Sequence, residues 1–267
     1  MSCIRNEKEN KKTLKIDLKQ QIVKDRVPKH IALIMDGNGR WARKKGSERL
    51  FGHRNGVESV RQVVEASGEL GVEYLTLYAF STENWKRPKS EIDGLMSLLA
   101  STIRIEIEKL NKNNVRLLVI GNINDLPGSV AKQLMNSVEI TAGNTGLKLV
   151  LALSYSGRWE IADAVKKMCN AAKEGKLDPD SIDECMFESF LATSSIPDPE
   201  LLIRTSGERR ISNFLLWQIA YTELYFSPVL WPDYRKEHFY EAIIDFQRRE
   251  RRFGMVGQQP NAVTINN

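Results

Sequence analysis

The chain has 267 residues, 42% of them hydrophobic and 27% charged, with a formal net charge of +5. That length holds one sizeable core, and the balance is that of a globular protein rather than a fibrous or disordered one. Three widely spaced cysteines, Cys3, Cys169 and Cys185, with no Cys-x-x-Cys pair argue against a disulfide framework or zinc site and for a reduced compartment.

No apolar run reaches membrane-spanning length and no signal-peptide core opens the chain, so the expected location is cytoplasmic, with any lipid contact peripheral. The positive charge suits nucleic acid, a membrane surface or a polyanionic small substrate, and chooses none of them.

Residues 1–26 are polar and lysine-rich, an extension expected to be a short surface helix or unstructured. After Pro28 comes Ile31-Ala32-Leu33-Ile34-Met35. Five apolar residues bounded by turn formers read as a buried parallel strand. It stops at Asp36, within Asp36-Gly37-Asn38-Gly39-Arg40-Trp41. An acid at a strand's carboxyl end, followed by bare glycine amides and Arg40, suits a diphosphate bridged by Mg²⁺. The same residues also read as an ordinary tight turn. Gly37 to Ala42 match the alanine-ended dinucleotide fingerprint as well. Against that, Asp36 would face a pyrophosphate unscreened, and bulky Arg40 and Trp41 stand where the helix should begin.

Residues 44–54 read as a basic connection. Val57, Val60, Val63, Val64 and Ala66 then trace a helix to Gly71. A strand over 74–80 leads into the polar loop Ser81-Thr82-Glu83-Asn84-Trp85-Lys86-Arg87-Pro88. Ser90 with Asp93 is the expected cap of a helix over 91–113. Its apolar face is wider than one sheet contact requires, and Gly94, Ser97 and Ser101 form a row of small residues. Further strands are expected at 115–120, 147–154, 201–204 and 224–226, and helices at 129–141, 159–172, 182–191, 214–221 and 235–252. The alternation predicts a single α/β domain, a mostly parallel sheet of about six strands flanked by helices.

Arg40, Arg87, Arg204 and Arg210 each follow a predicted strand. Parallel strands bring such residues to one edge, where arginines grip phosphate oxygens in pairs. Singly, each would be an unremarked surface residue. His53 reads as a phosphate donor, a general acid or a surface histidine. Glu223, in an apolar stretch, needs an arginine or a metal as partner if buried.

Taken together, these residues resemble the cis-prenyltransferases, the undecaprenyl diphosphate synthase family. The resemblance runs from about Val27 to Gly254. It is carried by His30 through Ala42, Gly52-His53, Phe80 through Pro88 and Gly143-Asn144-Thr145-Gly146. Arg204-Thr205-Ser206-Gly207-Glu208-Arg209-Arg210-Ile211-Ser212-Asn213, Tyr221 through Phe226 and the closing Arg249-Glu250-Arg251-Arg252-Phe253-Gly254 complete it. The chain departs at Ser156, where many members have glycine.

The resemblance implies a catalytic domain over 27–254 with an apolar tunnel, between an extension 1–26 and a tail 255–267. It implies sequential condensation of isopentenyl diphosphate onto an allylic diphosphate such as farnesyl diphosphate, with Mg²⁺. Asp36 and Glu223 would bind the metal, and Asp36 would assist departure of the allylic diphosphate. Gly37, Asn38, Gly39 and Arg40 amides with Arg49, His53 and Arg87 would hold that group, Trp41 beside them. Arg204, Arg210 and Ser212, with Ile211 between, would hold isopentenyl diphosphate. Ser81, Thr82, Glu83, Asn84 and Trp85 form a loop over the substrates, with Asn84 near the departing proton. A homodimer is implied, with Arg251 reaching the neighbouring site, and peripheral membrane contact would serve product release. A non-catalytic partner subunit and a Rossmann-type oxidoreductase are the alternatives. Nucleic-acid binding is not expected, since aromatic and basic residues do not interleave.

Overall fold

The computed structural model describes residues 17–250. Arg251, residues 1–16 and the tail 255–267 lie outside them.

Strand β1 (His30–Ile34) is buried at every position, which is why it reads as an unbroken apolar run. With β2 (Tyr74–Ser81), β3 (Arg116–Ile120), β4 (Lys148–Tyr155), β5 (Leu201–Arg204) and β6 (Glu223–Phe226) it forms one sheet. All pairings are parallel, in the order β3-β4-β2-β1-β5-β6. The expected mostly parallel sheet is therefore wholly parallel.

Alternation along the strands splits the core in two. Ile31, Leu33, Leu77 and Leu151 face one side, with Val63 of α2 (Arg49–Leu70), Ile103 of α3 (Lys89–Lys112), Leu134 of α4 (Gly128–Ile140) and Phe239 of α7 (Lys236–Gln247). Ala32, Ile34, Val150 and Leu202 face the other, against Phe214 and Trp159 of α5 (Gly157–Lys173). Cutting Leu33 or Leu77 to alanine would cost about 2–5 kcal/mol. The short helix α1 (Asn38–Lys44) packs against α2, and α6 (Glu184–Ser189) against α5. No helix of the described residues is long and apolar enough to cross a membrane.

From β1 the chain builds β2, β3 and β4 on one side, then returns to place β5 and β6 on the other. The order reverses between β1 and β5, and such switch points open a crevice at the strands' carboxyl ends.

The described part of the expected extension is folded, with 3₁₀ turns at Leu18–Gln21 and Lys24–Arg26 and Ile22 buried in the core, and four further elements differ from the sequence expectation. Helix α2 begins at Arg49, because Gly52 and Gly56 lie against Asn38 and Trp231 with no room for a side chain. Helix α3 begins directly after Pro88 with no side-chain cap, so Ser90 falls in its first turn. Residues 214–221 form turns rather than a helix. Ser212, Asn213 and Leu215 have φ of 50°, 60° and 48°, which a right-handed helix does not admit. Helix α7 ends at Gln247.

Candidate active site

Asp36 follows β1 at the switch point. Gly37, at φ 110°, turns the chain into α1 in a left-handed conformation that glycine adopts without strain. Its amide donates to Asp36 Oδ1 at 2.7 Å. Thr205 Oγ1 accepts from the Asp36 amide at 2.9 Å and donates to the Asp36 carbonyl at 2.7 Å, pinning the ends of β1 and β5 together. Arg204 Nη2 donates to Asp36 Oδ2 at 2.8 Å, and Arg40 lies 3.7 Å from the same oxygen. Partial burial pushes the Asp36 carboxyl up, but the Arg204 hydrogen bond and charge, the Gly37 amide and Arg40 outweigh it and hold it below its ordinary value.

Arg204 is buried. Its Nη1 donates to Ser212 Oγ at 2.6 Å and to the Arg210 carbonyl at 2.5 Å, while Nε is buried without a partner among the described residues. Arg40 pairs with Glu208 at 3.0 Å and donates to the Ser206 hydroxyl. Arg210 pairs with the same Glu208. Across the crevice, Arg87 and Arg49 share Glu91 Oε1 at 3.1 and 3.3 Å. His53 stands beside these arginines. Burial and the Arg87 and Arg49 charges, against Glu91, lower its pKa to about 4. His53 is therefore neutral near pH 7, which suits an N–H donor to phosphate rather than an acid.

The expected loop is a 3₁₀ turn, Thr82–Lys86. Asn84 Oδ1 accepts from the Ser81 amide at 3.1 Å, and the Ser81 side chain accepts from the Asn84 backbone. Thr82 donates to Glu83 Oε2 at 3.3 Å. Glu83 Oε1 accepts from Asn213 Nδ2 at 2.7 Å, tying this turn to the segment that carries Ser212 and half-buried Ile211. Trp85 donates to Ser154 Oγ at 2.8 Å. Trp41 and Arg40 do lie within helix α1, so their bulk does not displace its start. Trp41 stacks on Phe51 and donates to Asp233 Oδ1 at 2.8 Å. Ser156, at the family's glycine position, caps α5 by accepting from the Trp159 amide.

Glu223 is not brought to Asp36 within one chain. It opens β6 opposite Leu201, whereas Arg204 pairs with Phe226. Three residues at about 3.3 Å each put it roughly 10 Å from the carboxyl edge. Of the two partners foreseen, the chain supplies an arginine, with Arg249 Nη1 at 2.7 Å from Glu223 Oε2. Arg251 lies outside the described residues.

Mg²⁺ takes oxygen ligands, commonly one or two carboxylates plus substrate phosphates, and keeps several waters. Asp36, with its side chain 32% exposed at the crevice, fits that donor set. No group of three or more His, Cys, Asp or Glu among the described residues forms a metal cage.

A cavity of about 670 Å³ leads away from Asn38 and His53 between α2, α3 and the sheet. Val60, Val64, Leu77, Leu98, Leu99 and Ile103 are among its walls, and Asn113 and Leu147 lie along it too. The small-residue row of α3 does not line it. Ser97 is exposed, and Ser101 donates to the Leu98 carbonyl.

Sequence reasoning missed Glu91, Glu208, Thr205 and Asp233 as parts of the site. Glu91, four residues after Arg87, carried a readable helical pairing signal.

Residues 34–254 match the family model described as "Putative undecaprenyl diphosphate synthase". The chain is 56% identical over 233 residues to an isoprenyl transferase of Chlorobaculum tepidum, covering 87% of this chain and 88% of that protein. It is 50% identical over 228 residues to the ditrans,polycis-undecaprenyl-diphosphate synthase ((2E,6E)-farnesyl-diphosphate specific) of Pasteurella multocida, covering 85% and 95%. The crystal structure of lavandulyl diphosphate synthase from Lavandula x intermedia in complex with dimethylallyl diphosphate superimposes with a TM-score of 0.84 at 35% identity, covering 86% of this chain and 99% of that one. The oxidoreductase reading of Gly37 to Ala42 falls with these matches. The chain belongs to the undecaprenyl diphosphate synthase family of cis-prenyltransferases.

Proposed function

We propose that this chain condenses isopentenyl diphosphate onto farnesyl diphosphate, repeatedly, to a long polyprenyl diphosphate, undecaprenyl diphosphate for the cell-wall lipid carrier. One observation carries the reading. Asp36 and the arginines Arg40, Arg49, Arg87 and Arg204 share a switch-point crevice from which an apolar cavity departs. The farnesyl specificity in the Pasteurella relative's name and the dimethylallyl diphosphate in the lavender enzyme support the substrate class.

In this reading the amides of Gly37 to Arg40, with Arg49, His53 and Arg87, hold the allylic diphosphate beside Trp41. Asp36 would hold Mg²⁺, which when bound would supply positive charge near the departing diphosphate. Donors fixed before reaction stabilise that developing charge without reorganising. Arg204, Arg210 and Ser212, flanking Ile211, orient isopentenyl diphosphate so that its double bond meets the allylic carbon. The diphosphate leaves, the new carbon–carbon bond forms, and a proton departs near Asn84 and Ser81 to restore the double bond. Thr82, Glu83 and Trp85 hold that turn. The cavity is the tunnel that takes up the lengthening chain, shielded from water by α2 and α3.

The catalytic domain spans 27–254 and works as a cytoplasmic homodimer, Arg251 reaching the neighbouring site. Glu223 would touch a metal only through such an assembly. Peripheral membrane contact would release the product. A non-catalytic subunit is the second reading, and the intact Asp36-Gly37-Asn38 favours the enzyme. The test is incubation of the purified chain with Mg²⁺, farnesyl diphosphate and labelled isopentenyl diphosphate. A ladder of polyprenyl diphosphates by mass is expected, and no condensation at saturating Mg²⁺ would overturn the proposal.

A further inference from the structure

The turn that carries Asn84 is tied to β4 through one indole. Trp85 Nε1 donates to Ser154 Oγ at 2.8 Å, and Ser154 Oγ donates to Asp125 Oδ2 at 2.6 Å. Asn122 Nδ2 holds the other carboxylate oxygen, Oδ1, at 2.8 Å. An ionised carboxylate only accepts, so the single Ser154 hydroxyl proton points to Asp125 and its lone pairs are left for Trp85. The polarity of the relay is fixed from Asp125 outward.

The backbone is bent to make this contact. Strands β2 and β4 pair Tyr78 with Ala152, Phe80 with Leu153 and Ser81 with Tyr155, leaving Ala79 and Ser154 without opposite numbers. A bulge of this kind re-aims a side chain. Ser154 is fully buried and sits at φ 45°, a conformation uncommon for residues other than glycine and kept where the surroundings over-determine it. The partner element is shaped to match. A Cβ on Gly121, at the end of β3, would lie 2.0 Å from the Leu153 carbonyl oxygen. Only a bare backbone lets the following 3₁₀ turn, Ile123–Asp125, cross the bulge and deliver Asp125.

We propose that Asp125 and Ser154 are positioning residues for the condensation, holding Trp85 so that the Thr82–Lys86 turn presents Asn84 and Ser81 to the substrates. The inference rests on the function proposed above. Phe80 meets the Trp85 ring edge-on at 4.8 Å between centroids. That apolar contact sets where the ring lies, and the hydrogen bond selects how it is turned.

Ser154→Gly separates positioning from folding, because it deletes Oγ while relieving the left-handed backbone. It should melt within a few degrees of the parent and lower kcat about tenfold, with KM for both substrates within about twofold, the loss expected of one hydrogen bond felt in the transition state. Asp125→Asn should act in the same direction. The Trp85 indole N–H, assigned by its disappearance in Trp85→Phe, should exchange with deuterium much faster in Ser154→Gly. In the Trp85→Phe background, Ser154→Gly should cost no more than about a further twofold, since the relay then has no end to hold. Multiplying losses, an unchanged indole exchange rate, or parental kcat in Ser154→Gly while Asn84→Ala is impaired would each overturn the inference and leave the proposed function standing. A parent chain that condenses nothing would overturn both.

Discussion

Arg204 donates to Asp36 across the crevice at 2.8 Å, while its other terminal nitrogen donates to Ser212 at 2.6 Å. One buried guanidinium thus joins the acid after β1 to the segment after β5. It also sets the charge state of Asp36, whose carboxyl lies below its ordinary value. The sign follows from linkage. The pair's stabilisation is complete above the unfolded carboxyl pKa of about 3.9 and is lost as pH falls through the lower folded value. Arg204→Met removes the main influence that lowers the Asp36 carboxyl pKa, so the acid limb of kcat/KM should move to higher pH. Profiles of the variant and parent between about pH 4 and 8 would show it, and a stationary limb would remove Arg204 from control of Asp36.

Product length should answer to α3 residues that line the cavity. Thr102 is one of them. Thr102→Phe is expected to shorten the product by one or more isoprene units, with about 1–3 kcal/mol of overpacking cost. Exposed Ser97→Phe, on the same helix, should leave the product masses alone. Unchanged products in Thr102→Phe would mean that the chain grows elsewhere.

Two histidines should make the fold acid-sensitive. His30 Nδ1 donates to the Pro197 carbonyl at 2.5 Å, and with the ring neutral near pH 7 its Nε2 accepts from Thr76 Oγ1 at 2.7 Å. Burial lowers the His30 pKa to about 4, and His53 stands at about 4 also. Above the unfolded value of about 6.5 neither affects stability. As pH falls from there towards 4, the unfolded chain takes up protons that the folded chain refuses. Each histidine should then remove about 1.4 kcal/mol per pH unit. Urea midpoints at several pH values would measure the slope, and His30→Gln should reduce it. An identical slope in that variant would count against the assignment.

The dimer prediction uses two defects that complement. Asp36→Ala should lose about 10²–10³-fold in turnover. Arg251→Ala should be impaired if Arg251 serves the neighbouring site. In a mixed dimer, one site carries both defects and the other carries neither. Doubly tagged, purified heterodimers should therefore regain activity that neither parent shows. Activity no higher than either parent would place Arg251 in its own chain's site or in none.

Strands β1 and β5 were legible because both faces of a parallel sheet are buried, which leaves an apolar run and nothing else. The clustering of Arg40, Arg87, Arg204 and Arg210 followed from strand polarity alone. The rest depended on contacts that composition does not display. The apolar spacing of residues 214–221 imitates a helix, but the left-handed Ser212, Asn213 and Leu215 coil that segment into turns. Gly52 and Gly56 look like helix breakers, yet they are the close-packing surface of α2. Glu223 reads as a site acid because its motif matches, whereas its position depends on β6 register, which periodicity does not supply. Ser97 and Ser101 are small without facing the cavity.

The carboxylates already seated on the arginines alter what an arriving anion meets. Arg204 rests on Asp36, Arg40 and Arg210 on Glu208, and Arg49 and Arg87 on Glu91. Three acids thus offset three of the five cations, and salt screens the remaining positive charge beyond about 10 Å at ordinary ionic strength. A diphosphate bound as proposed would enter by exchange, taking guanidinium groups away from resident acids. A lone phosphate or chloride, offering fewer oxygens or a single charge, would compete poorly for the same exchange. On that proposal, the resting pairs themselves would discriminate against small anions, before any prenyl chain is felt.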